Sequence, residues 1–210
     1  MAYVFPKKLR NGNDKPYKVD IRILTRSDRN DSASGFCNAL ANIKAEDFDN
    51  IAAETCEVRI QYLSSVDAFI KASNGDYYFI EFKNDTQARL DALPFDKGRP
   101  IDSRTQRPVT CSQIELSLKH KAFDSLCIAG MTTLRDVPGK EIMDHAVLIV
   151  VRRDDKSKSF DKITNILSSF STGGRPVLWG LDELRKSGFY KEVHTWTESE
   201  FVAKAPRLLK

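Results

Sequence analysis

The sequence predicts an α/β (α+β) fold in which a central mixed β-sheet is flanked by helices, and three features carry that prediction. His145–Val151 (HAVLIVV) is a nearly continuous apolar run, as a central strand covered on both faces requires. Val66–Ala72 and Tyr77–Lys83 are aromatic and aliphatic segments joined by Ser73-Asn74-Gly75-Asp76, which reads as a hairpin turn. Apolar residues at helical spacing lie on either side: Phe36, Leu40, Ile43, Phe48 and Ile51 before the hairpin, Ile114, Leu118, Ala122 and Leu126 after it.

A chain of 210 residues, 41% hydrophobic and 30% charged, is expected to fold as one domain, 1–210, with a core of ordinary size. No apolar run has the length of a membrane span, and MAYVFPKKLR lacks the apolar stretch of a secretory signal, so a cytoplasmic location is expected. Cys37, Cys56, Cys111 and Cys127 include no CxxC pair and read as buried free thiols. His120, His145 and His194 are scattered without cysteine partners at zinc-site spacing, which argues against a structural zinc.

The net charge of +4 is only mildly basic; its distribution is more informative. Residues 1–30 form a basic arm carrying Lys7, Lys8, Arg10, Lys15, Lys18, Arg22, Arg26 and Arg29. A second basic stretch holds Arg89, Lys97, Arg99, Arg104 and Arg107. Both suit a polyanionic partner, and both equally suit a solvated surface.

In chain order, residues 6–18 read as an arm or loop and Asp20–Thr25 as a short strand. Phe36–Thr55 reads as one helix or two short ones, followed by alternation of Val58, Ile60 and Tyr62 with polar residues. After the hairpin comes a long polar loop, 84–109, of the kind that is usually functional or disordered. Ser112 and Glu115 form a capping box that opens the next helix. Phe160–Phe170 reads as helix, Pro176–Leu181 (PVLWGL) as a buried strand, Glu192–Trp196 as another strand, and Glu198–Lys204 as a terminal helix.

The chemistry is concentrated in the hairpin. Glu81 and Lys83 interrupt a run that otherwise reads as buried strand, where unpaired charges are costly unless they pair or bind metal. Two residues apart on a strand, they share one face. Asp67 interrupts the preceding strand at a matching depth. If Ser73-Asn74-Gly75 is a three-residue loop with left-handed Gly75, Asp67 falls opposite Glu81 and both carboxylates face the same way. If Asn74-Gly75 is a two-residue turn, Asp67 falls opposite Phe82 and they diverge. The first arrangement suits phosphodiester hydrolysis. Asp67 and Glu81, with the Phe82 carbonyl, would hold Mg²⁺ (Mn²⁺ as a substitute), and Lys83 would orient a water and stabilise the pentavalent phosphorus. The other acid-x-Lys triplet, Asp154 to Lys156, lies in the charged run RRDDKSKS, where solvation explains it.

Asp67 followed by Glu81-x-Lys83 and a helix resembles the PD-(D/E)XK nuclease superfamily, whose core runs helix, three strands, helix, strand. Residues from about 36 to 151 match that order. The resemblance implies a restriction-endonuclease-like core, Asp67 and Glu81 as metal ligands and Lys83 as the catalytic lysine. Val66 stands where many members have proline. Many members add an acid from the first helix, for which Glu46 and Glu54 are candidates. Some carry a Gln or Lys on the helix after the third strand, where Gln113, Lys119 and Lys121 lie; Lys119 is also spaced to pair with Glu115.

The expected function is therefore a Mg²⁺-dependent nuclease acting on nucleic acid, with DNA as the first candidate. A catalytically inactive nucleic-acid-binding or protein-interaction module of the same fold is the alternative, and a toxin-like effector nuclease acting on RNA is a third. Trp179, Trp196 and Tyr190 are able to stack on bases, but packing explains them as well. The sequence leaves the oligomeric state open.

Overall fold

The computed structural model describes residues 18–25, 40, 43–58, 63–83, 95–96, 99–100, 111–152 and 180–209, with the backbone alone for 54–58, 95–96, 99–100 and 111–115. Its frame is a six-stranded sheet of β1 (Lys18–Asp20), β2 (Lys44–Asp47), β3 (Ala68–Lys71), β4 (Tyr77–Lys83), β7 (Ala146–Arg152) and β8 (Glu192–Thr197), in that spatial order. The first four strands are antiparallel neighbours, while β4, β7 and β8 run parallel, so the sheet is mixed. Two short strands between β4 and β7 in sequence, β5 (Phe95–Asp96) and β6 (Arg99–Pro100), pair with each other in a separate two-stranded sheet.

Helices α1 (Ile21–Leu24), α2 (Phe48–Val58), α3 (Cys111–Met131), α4 (Gly139–His145), α5 (Asp182–Lys186) and α6 (Glu198–Leu208) complete the described elements. Each face of the sheet carries its own apolar layer. Phe69, Tyr77, Phe79, Leu148 and Val150 pack with Phe48 of α2 and with Leu118, Ala122 and Ile128 of α3. Ile70, Tyr78, Ile80, Phe82, Ile149 and Val151 pack with Phe201 and Ala205 of α6. This double cover is why every residue of β7 is buried and why its sequence shows no polar alternation. Aromatic contacts tie the first layer together, with ring centroids 5.5 Å apart for Phe48–Phe69, 5.1 Å for Phe69–Phe79 and 5.7 Å for Phe79–Tyr190. No helix among the described residues is long and apolar enough to cross a membrane.

Several local expectations are corrected. Asp20 ends β1 rather than opening a strand, because its carboxylate caps α1 by accepting the Arg22 N–H at 3.0 Å. Residues 44–47 form a strand instead of helix: Lys44–Asp47 pairs with β1 on one side and β3 on the other. Helix α2 begins only at Phe48, with Asp47 receiving the Asn50 N–H at 3.3 Å, and it extends through Val58, which the alternation assigns to a strand. Between α2 and α3 the described part of the main sheet thus takes two strands, and the other neighbour of β3 is β2, from before the helix. Gly180 and Leu181 lie in a turn leading into α5, not in a strand. The terminal helix runs on to Leu208 from a capping box of Thr197 and Glu200. Cys127 is exposed rather than buried, since it lies on the outer side of α3. Tyr190 and Trp196 are 1% and 7% exposed, so packing accounts for both. Of the basic arm expected over 1–30, residues 18–24 form β1 and α1, and 1–17 and 26–30 lie outside the described residues, as do the expected helix at 160–170, the strand residues 176–179, Trp179, Asp154 and Lys156.

Candidate active site

Which residues meet at the end of the hairpin depends on its register. Lys71 pairs with Tyr77, Ile70 with Tyr78, Phe69 with Phe79 and Ala68 with Ile80. The turn is the three-residue loop Ser73-Asn74-Gly75, closed by Ala72 N–H to Asp76 C=O at 3.0 Å and Gly75 N–H to Ala72 C=O at 3.1 Å. Gly75 has φ of 87°, the left-handed region that glycine enters at little cost. One step past the pair Ala68–Ile80, Asp67 stands opposite Glu81, on the same face as Phe69 and Phe79.

Asp67 is fixed from two sides. Its carboxylate Oδ2 accepts the Phe82 N–H at 2.6 Å, and its backbone carbonyl accepts the Phe48 N–H at 3.2 Å. The first bond exists because β3 starts only at Ala68, so the Phe82 N–H, which points toward β3, is met by a side chain in place of a ladder carbonyl. N–H and C=O of one strand residue point to the same side, so the Phe82 carbonyl also faces toward Asp67. The approach to β3 is anchored on α3: Ser125 Oγ accepts the Val66 N–H and Asp124 Oδ2 the Ser64 N–H, each at 2.9 Å.

Glu81 is 1% exposed and holds two lysines. Lys83 Nζ lies 2.6 Å from its Oε1, and Lys121 Nζ, reaching down from α3, lies 2.9 Å from Oε1 and 3.0 Å from Oε2. Asp67 is half-buried. Burial pushes its carboxyl well above the usual carboxylate range, and the charge of Glu81 pushes the same way; Lys121 and the Phe82 N–H oppose them. Burial works against the Lys121 ammonium, but the charges of Glu81 and Asp67 outweigh it and hold its pKa above the usual lysine range.

Asp49, in the first turn of α2, accepts the Ser65 hydroxyl at 2.5 Å and acts electrostatically on both Asp67 and Lys121. Among the described side chains it is the α2 acid coupled to this cluster, and no sequence pattern singles it out. Glu46 instead sits on β2, accepting the Thr133 hydroxyl at 3.2 Å, and burial raises its carboxyl. The register also puts Arg152, 8% exposed, beside Lys83 at the ends of parallel strands β7 and β4. Only its place one residue past the apolar run hints at this.

Of the helix candidates, Lys121 reaches the cluster and Lys119 does not. Lys119 Nζ pairs with Glu183 Oε2 at 2.5 Å on α5, away from Glu81. The side chains of Glu54, Gln113, Arg99 and Glu115 lie outside the described residues, as do Arg89, Lys97, Arg104 and Arg107 entirely.

The donor set is all oxygen: a buried and a half-buried carboxylate with a strand-end carbonyl on the same side. That fits Mg²⁺, which takes one or two carboxylates and keeps several waters. Burial, and after it the neighbouring charge of Glu81, raise the Asp67 pKa, and a divalent cation beside the two carboxylates would offset both. No group of three or more His, Cys, Asp or Glu side chains able to hold a metal occurs among the described residues. Compared with protein-family models, curated proteins and solved structures, the chain finds no match.

Proposed function

We propose that this chain is a Mg²⁺-dependent nuclease of the PD-(D/E)XK kind, hydrolysing phosphodiester bonds in DNA. The observation that carries the reading is Asp67 standing opposite Glu81 at one end of the central strands, with Lys83 bound to the Glu81 carboxylate. The C-terminal ends of β4 and β7 lie at that end, where open α/β sheets bind their ligands. The carboxylates of Asp67 and Glu81 and the carbonyl of Phe82 would hold the metal. Bound there, Mg²⁺ would acidify a coordinated water and offset charge developing on the phosphate.

The chain's own groups do the rest. Phe82 N–H fixes the Asp67 carboxylate, so the ligand is oriented before any cation arrives. Lys83 Nζ, half-buried at the site's edge, donates to the attacking water and to the extra negative charge on phosphorus. Arg152, its register partner on β7, would hold a phosphate oxygen. Arg89, Lys97, Arg99, Arg104 and Arg107, which follow β4 in the sequence, would bind the nucleic-acid backbone.

A second reading has its own support. Glu81 is already neutralised by Lys83 and Lys121, so the cluster is able to persist without metal in a binding module that does not cleave. The purified chain is to be incubated with supercoiled plasmid, linear duplex and single-stranded RNA, in Mg²⁺, Mn²⁺ or EDTA, beside Asp67→Asn. Metal-dependent DNA cleavage that Asp67→Asn loses is the expected result. Cleavage of RNA alone assigns an effector-type ribonuclease, and DNA binding without cleavage assigns the binding module. With neither cleavage nor binding, the nuclease reading is wrong.

A further inference from the structure

Glu81 carries one charge but receives two ammonium groups. Oε1 is shared by Lys83 at 2.6 Å and Lys121 at 2.9 Å, and Oε2 takes Lys121 again at 3.0 Å. A carboxylate offers about four lone-pair sites, and most of them are thus already occupied. A divalent cation needs Glu81 oxygen at about 2.1 Å, which leaves no room for both lysines to keep their places.

The two lysines are not equivalent. Lys83 is bound to Glu81 by the strand itself, two residues along on the same face, and touches Oε1 only. Lys121 comes from α3, bridges both oxygens, and lies close enough to Asp67 and Asp49 to feel both their charges. It therefore stands among the carboxylates, where the charge of a metal would stand. We infer that Lys121 is a built-in counter-cation of the metal-free site, and that a divalent cation binds by displacing its ammonium from Glu81.

This rests on the nuclease reading and adds a regulatory consequence. The buried acids keep their geometry when no metal is bound, and metal affinity is held down by competition with an internal charge. Asp49, held by Ser65 at the start of α2, is the acid toward which the displaced ammonium moves. The lysine stem has the length and freedom for such a move, whereas the Phe82 N–H that holds Asp67 has neither.

The test is calorimetric titration of the full chain with Mg²⁺ and separately with Ca²⁺ at one pH, for wild type and Lys121→Met. Removing the competitor should lower the dissociation constant at least about tenfold and enlarge the rise in Tm on adding metal. If the wild type binds metal and Lys121→Met binds no tighter, the inference fails while the nuclease reading stands. Absence of binding by both proteins overturns the two together. A measurement on the wild type alone covers the case of a variant that does not fold. Reductive methylation read by mass spectrometry should find Lys121 protected in EDTA and labelled faster in Mg²⁺; equal labelling overturns the displacement.

Discussion

The carboxylate of Asp67 accepts the backbone N–H of Phe82 at 2.6 Å, a side chain just ahead of β3 standing in for a ladder carbonyl. The bond fixes the acid beside Glu81 and holds it where burial and a like charge both disfavour ionisation. A position that costs stability when ionised, yet is held by a specific hydrogen bond, is the arrangement expected of a site whose missing charge is supplied by a ligand.

Glu81→Gln and Lys83→Ala should each lower cleavage by about 100-fold or more, since the first removes a charged metal ligand and the second the cation that stabilises the reacting phosphate. They should differ in metal titration, which weakens strongly in Glu81→Gln and little in Lys83→Ala. Wild-type rates in both would remove the hairpin from the chemistry.

Asp67→Asn should stabilise the metal-free protein at neutral pH while abolishing cleavage. The Asp67 pKa is raised in the folded state, so its favourable contribution is present below its unfolded value, about pH 4, and is lost as pH rises through the folded value. Thermal melts in EDTA from pH 4 to pH 8 should show the wild type falling relative to the variant across that window. Parallel curves would mean that the carboxyl is not strained by its surroundings.

Gly75→Ala should destabilise the fold by about 1–2 kcal/mol, the cost of a left-handed backbone for a residue with a Cβ. No atom lies within 4 Å of the added Cβ, so the penalty is conformational and Gly75→Asn should recover part of it. Urea unfolding of the three proteins is the measurement, and equal midpoints would refute the turn geometry.

Ser125→Ala removes the acceptor of the Val66 N–H deep under α3, which should cost about 1–3 kcal/mol. Because Val66 precedes Asp67, cleavage at saturating substrate should fall as well, whereas Ser117→Ala on the exposed side of α3 should change neither.

Neutralising Arg89, Lys97, Arg99, Arg104 and Arg107 to Gln should weaken DNA binding and flatten the slope of log K against log salt by about 0.9 for each phosphate no longer neutralised. A slope unchanged from wild type would return these residues to solvated surface.

By itself the sequence determined the strands β4, β7 and β8, the presence of a turn at Ser73-Asn74-Gly75-Asp76 and helix α3, and it singled out Asp67, Glu81 and Lys83 as candidates. Each is written in a short-range pattern: an apolar run with charges in the wrong place, a turn tetrad with glycine, an apolar stripe at helical spacing. The tertiary structure decided what such patterns leave open. It selected the three-residue loop over the two-residue turn, and with it the pairing of Asp67 with Glu81. It made 44–47 a strand because two neighbours were there to pair with it. It also separated Lys121 from Lys119. Two residues apart on a helix means about 200° of rotation, so one lysine meets Glu81 and the other meets Glu183 on α5. Periodicity fixes the angle between those two lysines, but only the packing of α3 against the sheet decides which of them faces the acids.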